Sequence, residues 1–342
     1  MQNHKFTSWL ISIVIIVAIL IYGKSIILPF VIAVLIWFVV KKMRNLIDKI
    51  SFIKKYVPAW IKSIFASLLI FVVLFVIAKV LINSIEGLAT SYENYAKNIE
   101  VVGNRINNLF KINVNEELVT LIKDFNFKYY LSILLNSLSD ILGNMVMIIF
   151  YIVFLFVEEL LFKNKFKLIY TDKVQYERNM AIIKKIDRSL SSYISLKSLI
   201  SLLTTTLSYF VLLAVGIDSA LFWAFLIFMF NFIPSIGPIL GTLLPALFSL
   251  IQFGTFFPFL IILFGVGAIA VLVGSLVEPR IMGNTLNISP LVAILSLAIW
   301  GAIWGITGML LSVPITVAMI IIFSQFTSTR SIAILLSEKG KV

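Results

Sequence analysis

The sequence has 342 residues, of which 61% are hydrophobic and 13% are charged, and it contains no cysteine. Because a soluble domain carries roughly 25% charged residues, this composition excludes an ordinary soluble protein, and the lack of cysteine excludes disulfides and thiolate metal sites. The formal net charge is +12, and the basic residues that produce it lie in loops between apolar runs. This distribution indicates the positive-inside pattern of membrane proteins and not nucleic-acid binding. We predict an all-α polytopic membrane protein with about eight transmembrane segments, including broken helices, and a helical extramembrane insert.

The first predicted region, residues 1–83, contains three transmembrane helices. The apolar runs 9–22 and 26–40 are expected to form a helical hairpin that turns at Gly23 and Lys24. The loop that follows, 41–62, carries seven basic residues and one acidic residue. The positive-inside rule therefore puts this loop and the N-terminus in the cytoplasm, and the third helix leads outward.

Residues 84–140 are the one stretch in which acidic and basic residues are both frequent and nearly balanced. An apolar stripe that includes Leu88 and Tyr95 recurs at steps of four and three, which is typical of a helix with one buried face. Asn115 predicts the start of a second helix, because asparagine is a favoured N-cap. We expect a helical insert on the outer side of the membrane, which serves either packing and oligomer contact or ligand capture.

Residues 141–162 are predicted to form the fourth transmembrane helix. Glu158 and Glu159 at its end favour a position in the headgroup region over a proton relay. Residues 163–195 are basic and amphipathic. They predict a cytoplasmic helix whose cationic face lies on the membrane surface or on neighbouring helices.

A stripe of serine and threonine residues begins the predicted transport core, residues 196–327. Ser201 belongs to this stripe, and its hydroxyls either bond to neighbouring helices or line a solute path. Lys197 lies beside them in an apolar run, where a charge costs at least about 2.5 kcal/mol and marks a candidate functional residue. The alternative is that Lys197, near the cytoplasmic end, reaches the headgroups. Asp218 is predicted to cap the next helix.

The centre of the core is a broken element, residues 231–255. Its prolines and glycines, among them Pro234, Gly237 and Pro238, are too dense for an uninterrupted helix. A broken backbone within a bilayer is tolerated only inside protein or beside a wet cavity, and transporters bind their solutes at such breaks. We expect the element to dip into the membrane, to return on the same face and, with Asn231, to line a solute site.

The next predicted span brings Glu278 and Arg280 to the outer side of the membrane. Pro279 between them is expected to keep the two charges out of one regular helix. They either pair with each other and bind headgroups, or gate a pathway. Residues 289–323 are predicted to be a second broken element, and 328–342 a cytoplasmic tail.

The sequence lacks the residues for enzymatic chemistry. No Walker A motif is present, so ATP is not expected to drive the chain directly, and His4 is the one histidine. Intramembrane metalloproteases need a pair of histidines, and serine proteases of the Ser-His type need one in the membrane. We therefore expect no enzyme activity, no cofactor and no bound metal.

Four motifs in the C-terminal half resemble the successive signatures of one transporter family. They are FIPSIGP at 232–238, VEPRIMG at 277–283, SPLV at 289–292 and GMLLSVP at 308–314. In this order they resemble the autoinducer-2 exporter family, and Lys197 resembles the branch with a lysine at this point. The resemblance implies a homo-oligomeric transporter of the bacterial inner membrane, with five subunits, that exports autoinducer-2 or a related solute. Other members of the family resemble sodium or lithium/proton antiporters.

We therefore predict a secondary transporter that exports a small polar solute by alternating access, with a proton or sodium as the coupling ion. Asn231, Ser201 and the backbone at 234–238 would line the site, and Lys197 with Glu278 and Arg280 would supply charge. One alternative is a Na+(Li+)/H+ antiporter, which is disfavoured because no acidic residue stands clearly at mid-membrane. The other is a membrane scaffold that regulates a partner without transporting.

Overall fold

The computed structural model describes residues 2–49, 55–91, 143–282 and 288–340, together with positions 95, 97, 98, 101–103 and 105. Within these ranges the chain is helical and has no strand. Seven of the described helices are long and apolar enough to cross a membrane. The predicted all-α polytopic membrane protein is thus confirmed, whereas most of the predicted insert, including its second helix, lies outside the described residues.

The helices are numbered here in chain order. They are α1 (Gln2–Tyr22), α2 (Lys24–Ile47), α3 (Ala59–Thr90), α4 (Met145–Ile169), α5 (Lys173–Val215), α6 (Ala220–Phe230), α7 (Ile236–Phe253), α8 (Phe256–Leu272), a π-helical turn (Val273–Val277), α9 (Glu278–Met282), α10 (Pro290–Phe323) and α11 (Arg330–Leu336). The chain divides into two compact units. The first comprises 1–70, 144–196 and 284–342, and the second comprises 71–143 and 197–283.

In the first unit, α1 and α2 are joined at Gly23 without a loop. The Gly23 N–H bonds to the Ile19 carbonyl at 2.8 Å, and the Ile27 N–H bonds to the Gly23 carbonyl at 2.9 Å. The helical hydrogen-bond pattern therefore continues through the junction, whereas antiparallel helices need a connecting loop of about 2–5 residues. The predicted hairpin at Gly23 and Lys24 is wrong, and the junction is a local break in a helical path.

Polar contacts join α2 to α4 in the same unit. Glu159 accepts hydrogen bonds from the Arg44 guanidinium at 2.7 Å and from the Trp37 indole at 3.1 Å. Glu158 is exposed and pairs with Lys165. Glu159 is therefore held by partners on α2, and the headgroup position predicted for both acids stays a prediction.

The predicted second broken element coincides with α10, and its interruption lies at Gly305. This residue has φ +64° and ψ −144° inside the helix. Such a backbone conformation is essentially restricted to glycine, since any Cβ would be strained there. The neighbouring Trp304 donates its indole N–H to the Leu20 carbonyl of α1 at 3.0 Å.

The second unit is built around a helical hairpin formed by α6 and α7. Its two ends meet: the Gln252 side chain donates to the Gly216 carbonyl at 3.0 Å and accepts from the Asp218 N–H at 2.8 Å. Beside this base, Trp223 of α6 packs on Phe248 of α7 with ring centroids 4.9 Å apart. The hairpin thus begins and ends at the same level, and its tip is the short break between Phe230 and Ile236.

The return from that base is one continuous helix from Phe256 to Met282. Pro279 lacks an N–H and its ring would crowd the preceding turn, and the π-helical turn Val273–Val277 accommodates it with a wider backbone path. Glu278 and Arg280 therefore share α9, and the prediction that Pro279 separates them is wrong. Glu278 lies 22 residues beyond Phe256, a rise of about 33 Å, so it is at the far end of this helix from the hairpin base.

Candidate functional site

The candidate site lies in the second unit along one face of α5. Lys197, Ser201, Thr204 and Ser208 follow one another at steps of four, three and four, which puts them on one side of a helix. Their exposed fractions are 7%, 0%, 3% and 0%. An apolar span thus carries a stripe of buried polar residues, and each buried polar group requires a partner.

At one end of this stripe, Lys197 forms an ion pair with Glu278 of α9. The Lys197 Nζ and Glu278 Oε1 atoms are 2.5 Å apart, and the side chains are 9% and 27% exposed. The sequence placed Lys197 at the cytoplasmic end and Glu278 at the outer side, and their contact shows that these two placements cannot both hold. The error arises because α6 and α7 together form one hairpin, so the long helix after it runs back toward the level of Lys197.

In the middle of the stripe, α5 meets the tip of the hairpin. Asn231 is 8% exposed and donates its side-chain N–H to the Thr204 hydroxyl at 3.4 Å. The Thr204 hydroxyl in turn donates to the Ile200 carbonyl of its own helix at 3.0 Å. Asn231 at the hairpin tip and Thr204 on α5 are therefore linked in a short hydrogen-bond chain that ends at the Ile200 carbonyl.

The hairpin tip is held by a close backbone approach. A Cβ atom on Gly237 would overlap the Phe230 carbonyl oxygen, so only glycine allows the two arms to come this near. The Gly237 N–H bonds to the Ile233 carbonyl at 3.1 Å, and the Ile236 N–H bonds to the Pro234 carbonyl at 2.6 Å. The Ile236 and Gly237 N–H groups, which were expected to be free at the break, are therefore bonded within the tip. Pro234 and Pro238 have no N–H to offer, and Pro238 lies within the first turn of α7.

Three hydroxyls of α5 have no such partner. The oxygens of Ser201, Thr205 and Ser208 are buried and form no hydrogen bond with any described residue. By contrast, Ser249 of α7 donates to the Ala246 carbonyl at 2.6 Å. A buried polar group without a bond costs about 1–3 kcal/mol, so these three hydroxyls are unsatisfied hydrogen-bonding groups within the span.

The predicted site residues are thus only partly brought together. Lys197, Ser201, Asn231 and Glu278 lie on or against the α5 stripe, whereas Arg280 is exposed and pairs with no acid among the described residues. Thr204 and Ser208, which lie on the same serine and threonine stripe, were not predicted as site residues. Their spacing from Lys197 and Ser201 on one helical face is the signal that could have found them.

The base of the hairpin carries a second polar cluster, formed with residues that follow α3. The Tyr95 hydroxyl donates to the Asp218 carboxylate at 2.6 Å, and the Asn98 side chain donates to the Gln252 carbonyl at 2.6 Å. Burial, and then the hydrogen bond to Asp218, raise the pKa of Tyr95 above its ordinary value. Asp218 was predicted to cap α6, but no side-chain cap bond forms there because its carboxylate binds Tyr95.

Comparison with known proteins identifies the family. The family described as AI-2E family transporter matches residues 10–328. The AI-2 transport protein TqsA of Escherichia coli is 35% identical over 208 residues, which is 61% of this chain and 59% of that protein. A Haemophilus influenzae protein named "Putative transport protein" is 27% identical over 356 aligned positions, 99% of each chain. One of the same name from Borreliella burgdorferi is 33% identical over 225 residues, 64% of this chain and 61% of that protein.

The match to TqsA thus spans somewhat less than two thirds of that relative's length. The family match is far longer and contains the α5 stripe, the hairpin tip and the Lys197–Glu278 pair. The resemblance seen in the four sequence motifs is confirmed, and this multi-pass membrane protein belongs to the AI-2E family of transporters.

Proposed function

We propose that the protein is a secondary transporter, and not an enzyme, that exports a small polar solute across the bacterial inner membrane. The observation that carries this proposal is the row of buried hydroxyls on α5, at Ser201, Thr205 and Ser208, that have no partner in the part of the chain that the structure describes. Hydroxyls that are unsatisfied inside an apolar span are suited to form hydrogen bonds with a polar solute. These bonds replace the hydration water that the solute loses when it crosses the membrane. The substrate is autoinducer-2 or a related molecule, which the name of the relative TqsA supports.

In this proposal the hairpin tip and the ion pair have different tasks. Asn231 and Ser201 bind the solute beside the tip, where the break between α6 and α7 places polar groups within the membrane. The Lys197–Glu278 pair closes one end of the stripe and opens when a proton or sodium ion takes the place of one partner. Access then alternates between the faces, in a homo-oligomer whose basic stretches 41–62 and 163–195 face the cytoplasm.

The test is solute movement in proteoliposomes that contain the purified protein under an imposed proton gradient. Autoinducer-2 transport is expected to fall at least tenfold in Ser201→Ala and in Asn231→Ala, since each variant removes a solute hydrogen bond worth about 1.5 kcal/mol. Ser249→Ala is the matched control, because Ser249 is equally buried but its hydroxyl is bonded within its own helix. Normal transport in both site variants would refute the assignment of the stripe.

A second candidate, a Na+(Li+)/H+ antiporter, gains support from Glu278. The sequence offered no clear acidic residue for a cation within the membrane, but Glu278 is paired to a buried lysine. A carboxylate that exchanges Lys197 for sodium would couple cation and proton movement. Sodium-dependent proton flux in the same liposomes, lost in Glu278→Gln and present without autoinducer-2, would favour this function over export of the signal.

A further inference from the structure

The first unit contains a basic cleft that the transport site does not use. It has a volume of about 250 Å³ and lies between the end of α2 and the polar stretch of α5. Its charged lining residues are Lys41, Lys42, Lys184, Arg188 and Asp187. Four cations against one carboxylate give the lining a positive net charge, which predicts an anionic ligand.

One of the four cations is already neutralised. Lys41 pairs with Asp187 at 2.9 Å and lies over the Trp37 ring at 4.8 Å. Lys42, Lys184 and Arg188 are exposed and form no ion pair with another described residue. Three such cations line one cleft whose single carboxylate, Asp187, is already paired with Lys41. They repel one another, and a bound anion reduces that repulsion.

The cleft also contains hydrogen-bonding groups that suit a phosphate diester carrying a hydroxyl. Asn45, Ser191 and Ser192 supply donors along the lining. The Oδ1 atom of Asp187 is buried and accepts no hydrogen bond from any described residue. A carboxylate oxygen in this state requires a donor, and the glycerol hydroxyls of a phosphatidylglycerol headgroup supply one next to their phosphate.

The position of the cleft favours a lipid as the source of that phosphate. Lys41 and Lys42 lie in the last two turns of the membrane helix α2, and Trp37 lies about one turn before them. Tryptophan is enriched where a membrane helix meets the headgroups, and basic pockets between membrane helices at that level bind anionic headgroups. A cleft at this depth meets lipid phosphates at far higher local concentration than soluble ones.

We propose that this cleft binds the phosphodiester headgroup of an anionic phospholipid of the phosphatidylglycerol type. Lys42, Lys184 and Arg188 hold the phosphate, and Asp187, fixed by Lys41, accepts a hydroxyl of the headgroup. The proposal concerns the first unit alone and does not depend on what the protein transports.

The test measures binding of fluorescent phosphatidylglycerol to the full-length purified protein in neutral detergent. Unlabelled phosphatidylglycerol is expected to displace the probe, whereas phosphatidylcholine and inorganic phosphate do not at the same concentration. The triple variant Lys42→Gln/Lys184→Gln/Arg188→Gln is expected to lose on the order of 100-fold in affinity, at about fivefold for each cation near a headgroup. Arginine in place of both lysines retains the charge and is expected to retain binding.

The matched control is the triple variant Lys173→Gln/Arg178→Gln/Lys185→Gln. These residues are exposed on α5, lie outside the cleft lining and change the net charge by the same amount. An equal loss of affinity in the control would overturn the proposal, because it would show attraction by overall charge alone. Unchanged affinity in the cleft variant would overturn it as well. Displacement by inorganic phosphate as readily as by phosphatidylglycerol would overturn the lipid assignment in favour of a soluble phosphate.

Discussion

Removing one partner of the Lys197–Glu278 pair is expected to destabilise the protein more than removing both. Lys197→Met keeps most of the length of the side chain and an apolar stem, but it removes the ammonium and leaves Glu278 as an uncompensated charge. Loss of one partner from a fully buried pair costs about 3–5 kcal/mol. Glu278 retains 27% exposure, which lets water solvate part of the charge, so we expect a loss of about 2–3 kcal/mol.

The double variant Lys197→Met/Glu278→Gln removes both charges and is expected to recover most of that loss, to within about 1 kcal/mol of the parent. The measurement is the free energy of unfolding in detergent, from a denaturant titration followed by tryptophan fluorescence. Lys165→Met is the control: Lys165 pairs with Glu158 at 2.9 Å, but the side chains are 56% and 51% exposed. Such a pair contributes at most about 1 kcal/mol. If Lys197→Met were as stable as the parent, the pair would not be a buried one and the reasoning would fail.

Three further predictions concern the base of the hairpin, its tip and the break in α10. Tyr95→Phe removes a bond to the charged Asp218 and is expected to cost about 1.5–3 kcal/mol. Because the pKa of Tyr95 is raised in the folded protein, the contribution of Tyr95 to stability is fully present below the ordinary tyrosine pKa of about 10. It is lost as the pH rises above that value. Gly237→Ala forces a Cβ against the Phe230 carbonyl, and since this contact is with backbone, we expect at least about 2 kcal/mol of destabilisation. Gly305→Ala meets no atom within 4 Å but must adopt the left-handed φ, at about 1–3 kcal/mol.

The same denaturant titration tests all three, each with a control of the same chemistry. Tyr22→Phe changes a tyrosine that is 87% exposed and is expected to have no measurable effect. Gly87→Ala adds a Cβ in a helix where no atom lies within 4 Å and φ is not left-handed, so it is expected to be neutral or slightly stabilising. Equal stability of Tyr95→Phe and Tyr22→Phe would contradict the contact with Asp218. Equal behaviour of the glycine variants and Gly87→Ala would contradict the strain assigned to Gly237 and Gly305.

The sequence predicted the class of the protein and several of its special positions for local reasons. Long apolar runs require helices in a membrane, because every backbone group there needs a partner within its own segment. Dense prolines and glycines predicted a break, since proline removes a donor and glycine admits close approach. The break between Phe230 and Ile236 is nevertheless shorter than expected, because Pro238 and Pro245 lie inside α7.

Two of the wrong predictions concern partners that are distant in the chain. Counting spans along the sequence placed Glu278 at the outer side of the membrane. That count failed because α6 and α7 form one hairpin, whose two ends are joined by the bonds of Gln252 to Gly216 and Asp218. Asp218 was assigned to its own helix end, whereas Tyr95 takes its carboxylate. A hydrogen bond between residues more than 100 positions apart leaves no periodic signal in the sequence.

By itself, the sequence determined that this protein is a helical membrane protein, that its family is a transporter family, and that α5 carries polar residues at helical spacing. These features are local, since hydropathy, helical period and motif order are all read along the chain. Only the tertiary structure decided that Lys197 meets Glu278, that Asn231 reaches Thr204, and that three hydroxyls of α5 find no partner among the described residues. The physical reason is that the free energy of a buried charge or hydroxyl depends on which ionic or hydrogen-bonding partner lies next to it. Only the packing of the helices determines that partner.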